Sequence, residues 1–367
     1  MPTSRSLVSR KARLVAASAI TVSLAVALAA CGGTSSHGAS GGTTTITLMG
    51  YSGVVQDNYT KAVLDPFMKS HPTIKVTYVP GPSAANMLGT LRSQKDNPNT
   101  DVAIFDTAVA NTGNKSGIFQ PLNPELVPNM KDIAKRGQVE GNFGPAVTFD
   151  NLALIYNTDK VKTKPTSWND LWNSEFSNQV VINAAPDLQG LSLMVIVDKM
   201  LGADYKQTID PAVNKLAKLA PNVQSWNPNP DSYTAIINGS AEIGIGWNAR
   251  AQYYAQQSNG KLGVLIPKEG SVFQTNSINL VKSAPHATAA QTFINYALSP
   301  EAQAAFTDQM FYAPTNTKAT ALISKQAASL TATTPARLSN IIDVDWNYIA
   351  SNNAAWTQIW QKKILSQ

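Results

Sequence analysis

An α/β chain folded as two lobes is what this sequence predicts, on three observations. About 320 residues follow position 45, more than a single core usually holds. Short β-branched runs alternate with longer stretches of helical periodicity, a pattern that argues for largely parallel sheets covered by helices. Several acids and aromatics stand at the ends of the strand-like runs, and ligands of open α/β sheets lie beyond the carboxyl ends of the strands.

The elements follow in order. TITLMGY, IKVTYV, DVAIFD, LALIYN, QVVIN, EIGIGW, KLGVLIP and SINLV are strands by their β-branched content and turn-like borders. Residues 57 to 70, 83 to 95, 190 to 202, 210 to 219, 248 to 258 and 287 to 306 carry helical patterns, and LSPEAQAAF in the last contains a Ser-Pro-Glu helix start. Trp168 and Trp172 in SWNDLW, with Trp346, Trp356 and Trp360 in the tail, fall at helical spacings and are expected to be packing residues.

At the N-terminus Arg5, Arg10, Lys11 and Arg13 precede the apolar run LVAASAITVSLAVALAA, and no acid comes before the only cysteine, Cys31. This is the order of a secretory signal, expected over residues 1–30. Leu28-Ala29-Ala30-Cys31-Gly32 resembles a bacterial lipobox, which implies cleavage before Cys31 and a lipid on its sulfur. GGTSSHGASGGTTT then has the composition of a flexible tether, expected to reach residue 44. Four of the 29 basic residues lie in the signal, so the mature chain carries 25 against 23 acids, a net +2 rather than the formal +6. With no Lys/Arg-rich run after residue 13, nucleic-acid binding is not expected.

A lipidated Cys31 leaves no thiol for a disulfide, a metal or a nucleophile. The histidines are His37 in the tether, His71 in SHPT and His286 in SAPHAT, expected to be solvated loop residues, and no zinc spacing joins them. Neither a G-x-S-x-G elbow nor a G-x-x-x-x-G-K-[ST] loop occurs. No cofactor or metal is expected.

GIGWNA, residues 244 to 249, formally matches the G-x-G-x-x-G/A fingerprint between a strand and a helix, with Glu269 beyond the next apolar run. Trp247 fills a slot where a dinucleotide site needs the backbone close to a pyrophosphate. The glycines are better explained as letting the strand end pack closely and present Trp247, Asn248 and Arg250.

Taken in order, TITLMGY, IKVTYV, DVAIFDTAV, GIFQPL, TFDNLALIYN, PTSWNDLW, EIGIGWN, PKEG and FYAPTN resemble the solute-binding proteins of ABC importers, and more narrowly the branch with the spermidine/putrescine-binding proteins. The resemblance covers nearly all of the mature chain. It implies the type 2 periplasmic-binding-protein fold: two α/β lobes joined by two crossover strands, with the ligand cleft between them. Mapped here, lobe one is 45–148 plus 273–315 and lobe two is 149–272 plus 316–367, with crossings near TFDN and VFQTN. Lobe closure about such strands traps a ligand.

This architecture exposes Asp106, Asp150 and Asp187 to the cleft, each also a candidate for an ordinary cap or Asx turn; Asp57 is read as a cap. By resemblance Asp187 lies in the loop that supplies carboxylates to polyamine, and Tyr51, Trp247 and Tyr312 match cleft-lining aromatics, which suit an alkyl-amine. Departures matter as much. Gln274 and Asn276 stand where polyamine binders place a tryptophan and a principal amine-binding aspartate, and an amide does not balance a buried ammonium. Val54, Ala108 and Val109 replace tyrosines.

Arg250, in the first turn of the helix after Trp247, opposes the helix dipole by ~0.3–1 kcal/mol unless something negative offsets it. A ligand carboxylate would do so, and so would a nearby acid such as Asp231 or Glu269. The pair Tyr253-Tyr254 raises ferric iron as an alternative ligand, since related importers bind it through tyrosinate oxygens. The expectation is therefore a monomeric, lipid-anchored, extracytoplasmic solute-binding protein without catalytic activity. Its solute is a polyamine-like amine or an amino-acid-like zwitterion, which it passes to an ABC permease and its ATPase. A surface enzyme on the same scaffold is the rival of another class.

Overall fold

The computed structural model describes residues 42–366, so Cys31, the signal and most of the tether lie outside the described residues. Eleven strands run in chain order: β1 (Thr44–Tyr51), β2 (Ile74–Gly81), β3 (Val102–Asp106), β4 (Phe119–Gln120), β5 (Ala146–Asn157), β6 (Val180–Val181), β7 (Val223–Ser225), β8 (Ile243–Trp247), β9 (Leu262–Leu265), β10 (Ser271–Val281) and β11 (Ile341–Ile342). Their path is β2-β1-β3-β10-β5-β8-β6-β7. All eight expected strands form.

The pairing is parallel at the two flanks, β2/β1/β3 and β8/β6/β7, and between β10 and the short β11. Between them β10 runs antiparallel to β3 and β5, and β5 antiparallel to β8 and β9. The expectation of largely parallel sheets is corrected there, because β5 leaves the first flank and β10 returns to it in the opposite direction. Each is long enough, at 12 and 11 residues, to belong to both flanks.

Two separate cores lie on either side of this crossing. One gathers Leu48, Phe67, Phe105 and Phe293 with the β1/β3 flank; the other gathers Leu154, Trp168, Ile196 and Trp360 with the β8/β6 flank. A small cluster of Phe149, Phe273, Ala313 and Ala332 backs the crossing strands. Trp168, Trp356 and Trp360 are buried packing residues, as their spacing predicts. SWNDLW is a 3-10 turn closed by a capping box between Ser167 and Asp170. Among the described residues no helix is long and apolar enough to cross a membrane.

Two helical readings change. The pattern over 287 to 306 splits into Ala287–Ala297 and Pro300–Met310, since Ser299 caps the second helix and Pro300 lacks the N–H that would continue the first. The pattern over 57 to 70 holds a wide turn, Thr60–Leu64, placed directly before Asp65 and Pro66, where the ladder loses a donor. Thr107–Lys115, with three β-branched residues and a glycine, carries no helical signal yet is helical. Burial decides it: a Cβ on Gly113 would stand 2.5 Å from the Phe119 ring, so only glycine lets this helix approach.

The glycines of GIGWNA are packing residues too. A Cβ on Gly244 would lie 2.4 Å from the Val181 carbonyl of the neighbouring strand, and one on Gly246 would lie 2.5 Å from the Tyr233 ring. Gly244→Ala is expected to force β6 and β8 apart and cost about 1–3 kcal/mol in urea unfolding. Gly89→Ala, in a helix where a Cβ meets nothing within 4 Å, should stabilise by up to about 1 kcal/mol.

Candidate functional site

Strand ends and the crossing strands bring most of the expected site residues together. Tyr51 closes β1 and Asp106 closes β3; Asn276 on β10 is in register with Asp106, and Gln274 is in register with Asp150 on β5. Register partners share a face, so Gln274, Asn276, Asp150 and Thr148 look one way while Phe273, Thr275 and Phe149 look the other. Tyr312, past the helix Pro300–Met310, is buried with its ring stacked 5.5 Å from Phe306.

A chain of polar contacts fixes the first wall. The Tyr51 hydroxyl donates to Asp106 Oδ2 at 2.7 Å and accepts from the Asp106 N–H at 3.1 Å. Gln274 Nε2 donates to Asp106 Oδ1 and, at 3.0 Å, to Asn276 Oδ1, while Asn276 Nδ2 donates to Thr148 Oγ1 at 3.0 Å. The amides that replace the cation-binding residues of polyamine binders therefore hold Asp106 in place. Burial pushes the Asp106 carboxyl up to about 6, against the lowering effect of Tyr51, Gln274 and Arg250.

The other two acids act as caps. Asp150, fully buried, accepts from Ala249 N at 3.0 and 3.2 Å and from Asn151 N at 2.8 Å. It thus sits at the N-terminus of the helix Asn248–Gln257, the position a pyrophosphate takes in a dinucleotide site. Burial pushes it up to about 7, and the backbone donors restrain the rise. Asp187 caps the helix Leu188–Met200 through Gln189 N at 2.8 Å; burial raises it, and Asn183 and Arg250 pull it down. Asp57, exposed in the first turn of its helix, has no part in this group.

Arg250 is the centre of the second wall. No carboxylate stands within 4.0 Å of it among the described residues, and its Nε is buried without a hydrogen-bond partner. Burial works against its charge, but the oxygens of Tyr312, Tyr233, Tyr254 and Tyr51 outweigh that and raise its pKa, so it stays a permanent cation. Tyr312 is within hydrogen-bonding reach of it, and is itself pushed up to about 12 by burial while Arg250 pulls it down. The neutralising acids considered from sequence are engaged elsewhere: Asp231 caps its own helix through Thr234 N at 2.7 Å, and Glu269 accepts from Ser167 Oγ and Trp168 N.

Asn248 departs from its expected role. It is fully buried, donates to the Leu330 carbonyl at 2.9 Å and accepts from Gln252 at 3.1 Å, which ties the helix to the tail and leaves neither group facing a solute. Trp247 ends β8 half-buried, packed against the second core, with its backbone N–H donated to the Tyr233 hydroxyl at 2.8 Å. Tyr253 packs against the first core, whereas Tyr254 stacks on Tyr233 at 5.2 Å, so the adjacent tyrosines diverge. His71 is not a solvated loop residue: its ring stacks on Phe67 at 4.5 Å.

Sequence reasoning missed Tyr233 and Thr148 as members of the group and considered Tyr254 only as a ferric-iron ligand. The one available signal for Tyr233 was Gly246, whose missing side chain makes room for the tyrosine ring.

Comparison with known proteins agrees on the scaffold. The family of bacterial extracellular solute-binding proteins matches residues 62–335. A spermidine/putrescine-binding periplasmic protein of Salmonella typhimurium is 26% identical over 309 residues, covering 82% of this chain and 87% of that protein. A gamma-aminobutyric acid-binding protein of Pseudomonas aeruginosa is 27% identical over 255 residues, 67% of this chain and 70% of that one. The crystal structure of an ABC transporter substrate-binding protein from Bradyrhizobium japonicum superposes with a TM-score of 0.75 at 22% identity, covering 87% of this chain and 100% of that one. That likeness shows the two-lobed α/β fold.

The raised acids make ligand-free stability depend on pH. Folded Asp106 holds its proton up to about 6 and Asp150 up to about 7, against an ordinary 3.8, so the folded state binds more protons than the unfolded one across this window. Their contribution is fully present below about pH 4 and is lost as pH rises through 6 and 7. In urea unfolding from pH 4 to 8, the difference between wild type and Asp106→Asn should slope between about pH 4 and 6 and be flat above. A difference that is flat throughout contradicts the assignment.

Proposed function

Since the chain belongs to the family of bacterial extracellular solute-binding proteins, we propose that it is the solute-capturing component of an ABC importer. In this reading it is held by lipid on Cys31 to the outer face of the cytoplasmic membrane. It acts as a monomer without cofactor or catalytic step, and hands a trapped solute to the permease and its ATPase. The proposed lobes are 45–148 plus 273–315 and 149–272 plus 316–367; the division of the two cores on either side of β5 and β10 supports those boundaries.

The solute is proposed to be an amino-acid-like zwitterion. The observation that carries this is Arg250: a half-buried residue whose buried Nε has no hydrogen-bond partner and whose guanidinium has no carboxylate within 4.0 Å among the described residues, with tyrosine hydroxyls around it. A buried charge needs a partner, and a planar donor fork suits a carboxylate. The two curated relatives bind, by their names, polyamines in one case and γ-aminobutyrate in the other, and of those ligands only γ-aminobutyrate has a carboxylate. Asp106 remains for the ammonium, with Asp187 beside it as a cap that is only half-buried, whereas Asp150 is fully buried in capping the helix that carries Arg250.

Calorimetry on the chain from residue 32 tests this against γ-aminobutyrate, an opine-like conjugate, putrescine, spermidine and ferric citrate. A carboxylate-bearing amine is expected to bind, and Arg250→Ala is expected to weaken it by roughly 30-fold or more, the ~2–5 kcal/mol cost of truncating one partner of a buried charge pair. Tight spermidine binding undiminished by Arg250→Ala would overturn the zwitterion reading.

A further inference from the structure

Behind Tyr51 and Tyr312 the first wall encloses a cavity of about 20 Å³, bordered also by Thr148 and Asn276 from the site, by Phe306 and by Tyr59. That is room for one water-sized group. None of the residues lining it carries a charge. Tyr59 is 5% exposed, lies edge-on to Phe306 at 5.0 Å, and its hydroxyl has no hydrogen-bond partner among the described residues. The nearby Tyr78 hydroxyl is already donated to the Tyr51 carbonyl at 2.6 Å. Leaving a buried hydroxyl unpartnered is costly, and native proteins keep few such groups without a reason.

We propose that this cavity is the specificity pocket of the solute site, taking one small uncharged hydrogen-bonding group, a hydroxyl or a carbonyl oxygen, from the end of the solute's carbon chain and pairing it with the Tyr59 hydroxyl. The proposal rests on the zwitterion reading above. The chain end reaches the cavity past Tyr51, Tyr312, Thr148 and Asn276, the residues that the cavity and the charged site share. A methyl group fits the space but leaves Tyr59 unpaired. An ammonium fits worst, because no carboxylate lines the cavity and a bare charge there is uncompensated.

L-Homoserine and L-norvaline have the same number of non-hydrogen atoms and differ at the end of the chain in a hydroxyl against a methyl, so they isolate the pocket. Calorimetry with the full mature chain should show homoserine bound about five- to tenfold tighter, the discrimination expected of one neutral hydrogen bond in a closed site. Tyr59→Phe should abolish that preference by weakening homoserine while norvaline stays within about twofold. Without ligand, Tyr59→Phe should melt no lower than wild type, since no bond is lost.

A preference that survives Tyr59→Phe, equal weakening of both ligands, or a ligand-free melting point several degrees lower overturns the pocket and leaves the zwitterion reading standing. No heat from any zwitterion, with putrescine bound instead, overturns that reading and this inference with it.

Discussion

Asp150 joined to the Ala249 N–H is the contact on which the arrangement of this protein depends. One partner lies on a strand that runs from the first core into the second, and the other opens the helix that carries Arg250. The bond fixes the direction of that helix relative to the crossing strands, and so fixes where the guanidinium points. It also fills the helix N-terminus with an internal carboxylate, which removes the vacancy a phosphate needs. Close packing around it follows: Gly244 and Gly246 have no room for a side chain, and Asn248 locks the helix to the tail on its other side.

The charge balance of the site follows from burial. Three aspartates and one arginine share a desolvated region, yet none of the acids is salt-bridged to Arg250. Desolvation raises all three carboxyls, so the ligand-free site lowers its own negative charge, whereas the guanidinium keeps its proton among tyrosine oxygens with no carboxylate within 4.0 Å among the described residues. Such a region is complementary to a solute with a negative end and short of anions for a second ammonium. The amides Gln274 and Asn276 fit this logic, since they position Asp106 by hydrogen bonds without adding a charge.

Much of the site was legible in the sequence as location and little of it as role. Strand-end reasoning pointed to Asp106, the helix after Trp247 to Arg250 and the family resemblance to Tyr51 and Tyr312, and the structure groups the four. It could not separate a carboxylate facing the cleft from one capping a helix in another part of the chain, because Asp150 and Ala249 are 99 residues apart. Tyr233 was invisible for the same reason: its hydroxyl meets Trp247 from a short helix whose own sequence gives no hint of a site.

Eight of the strands were decided by the sequence alone, because side-chain periodicity and β-branched content act over a few residues, and the family was legible in the order of its motifs. The helix Thr107–Lys115, the antiparallel crossing and the lack of a salt bridge to Arg250 among the described residues were decided only by tertiary structure. Each depends on the distance between groups remote in the chain: a ring lying where a Cβ would be, a strand returning in the opposite direction, an acid engaged by other donors. Local pattern carries no record of such distances. The same holds for Tyr59, whose lack of a partner among the described residues shows only when the walls around it are assembled.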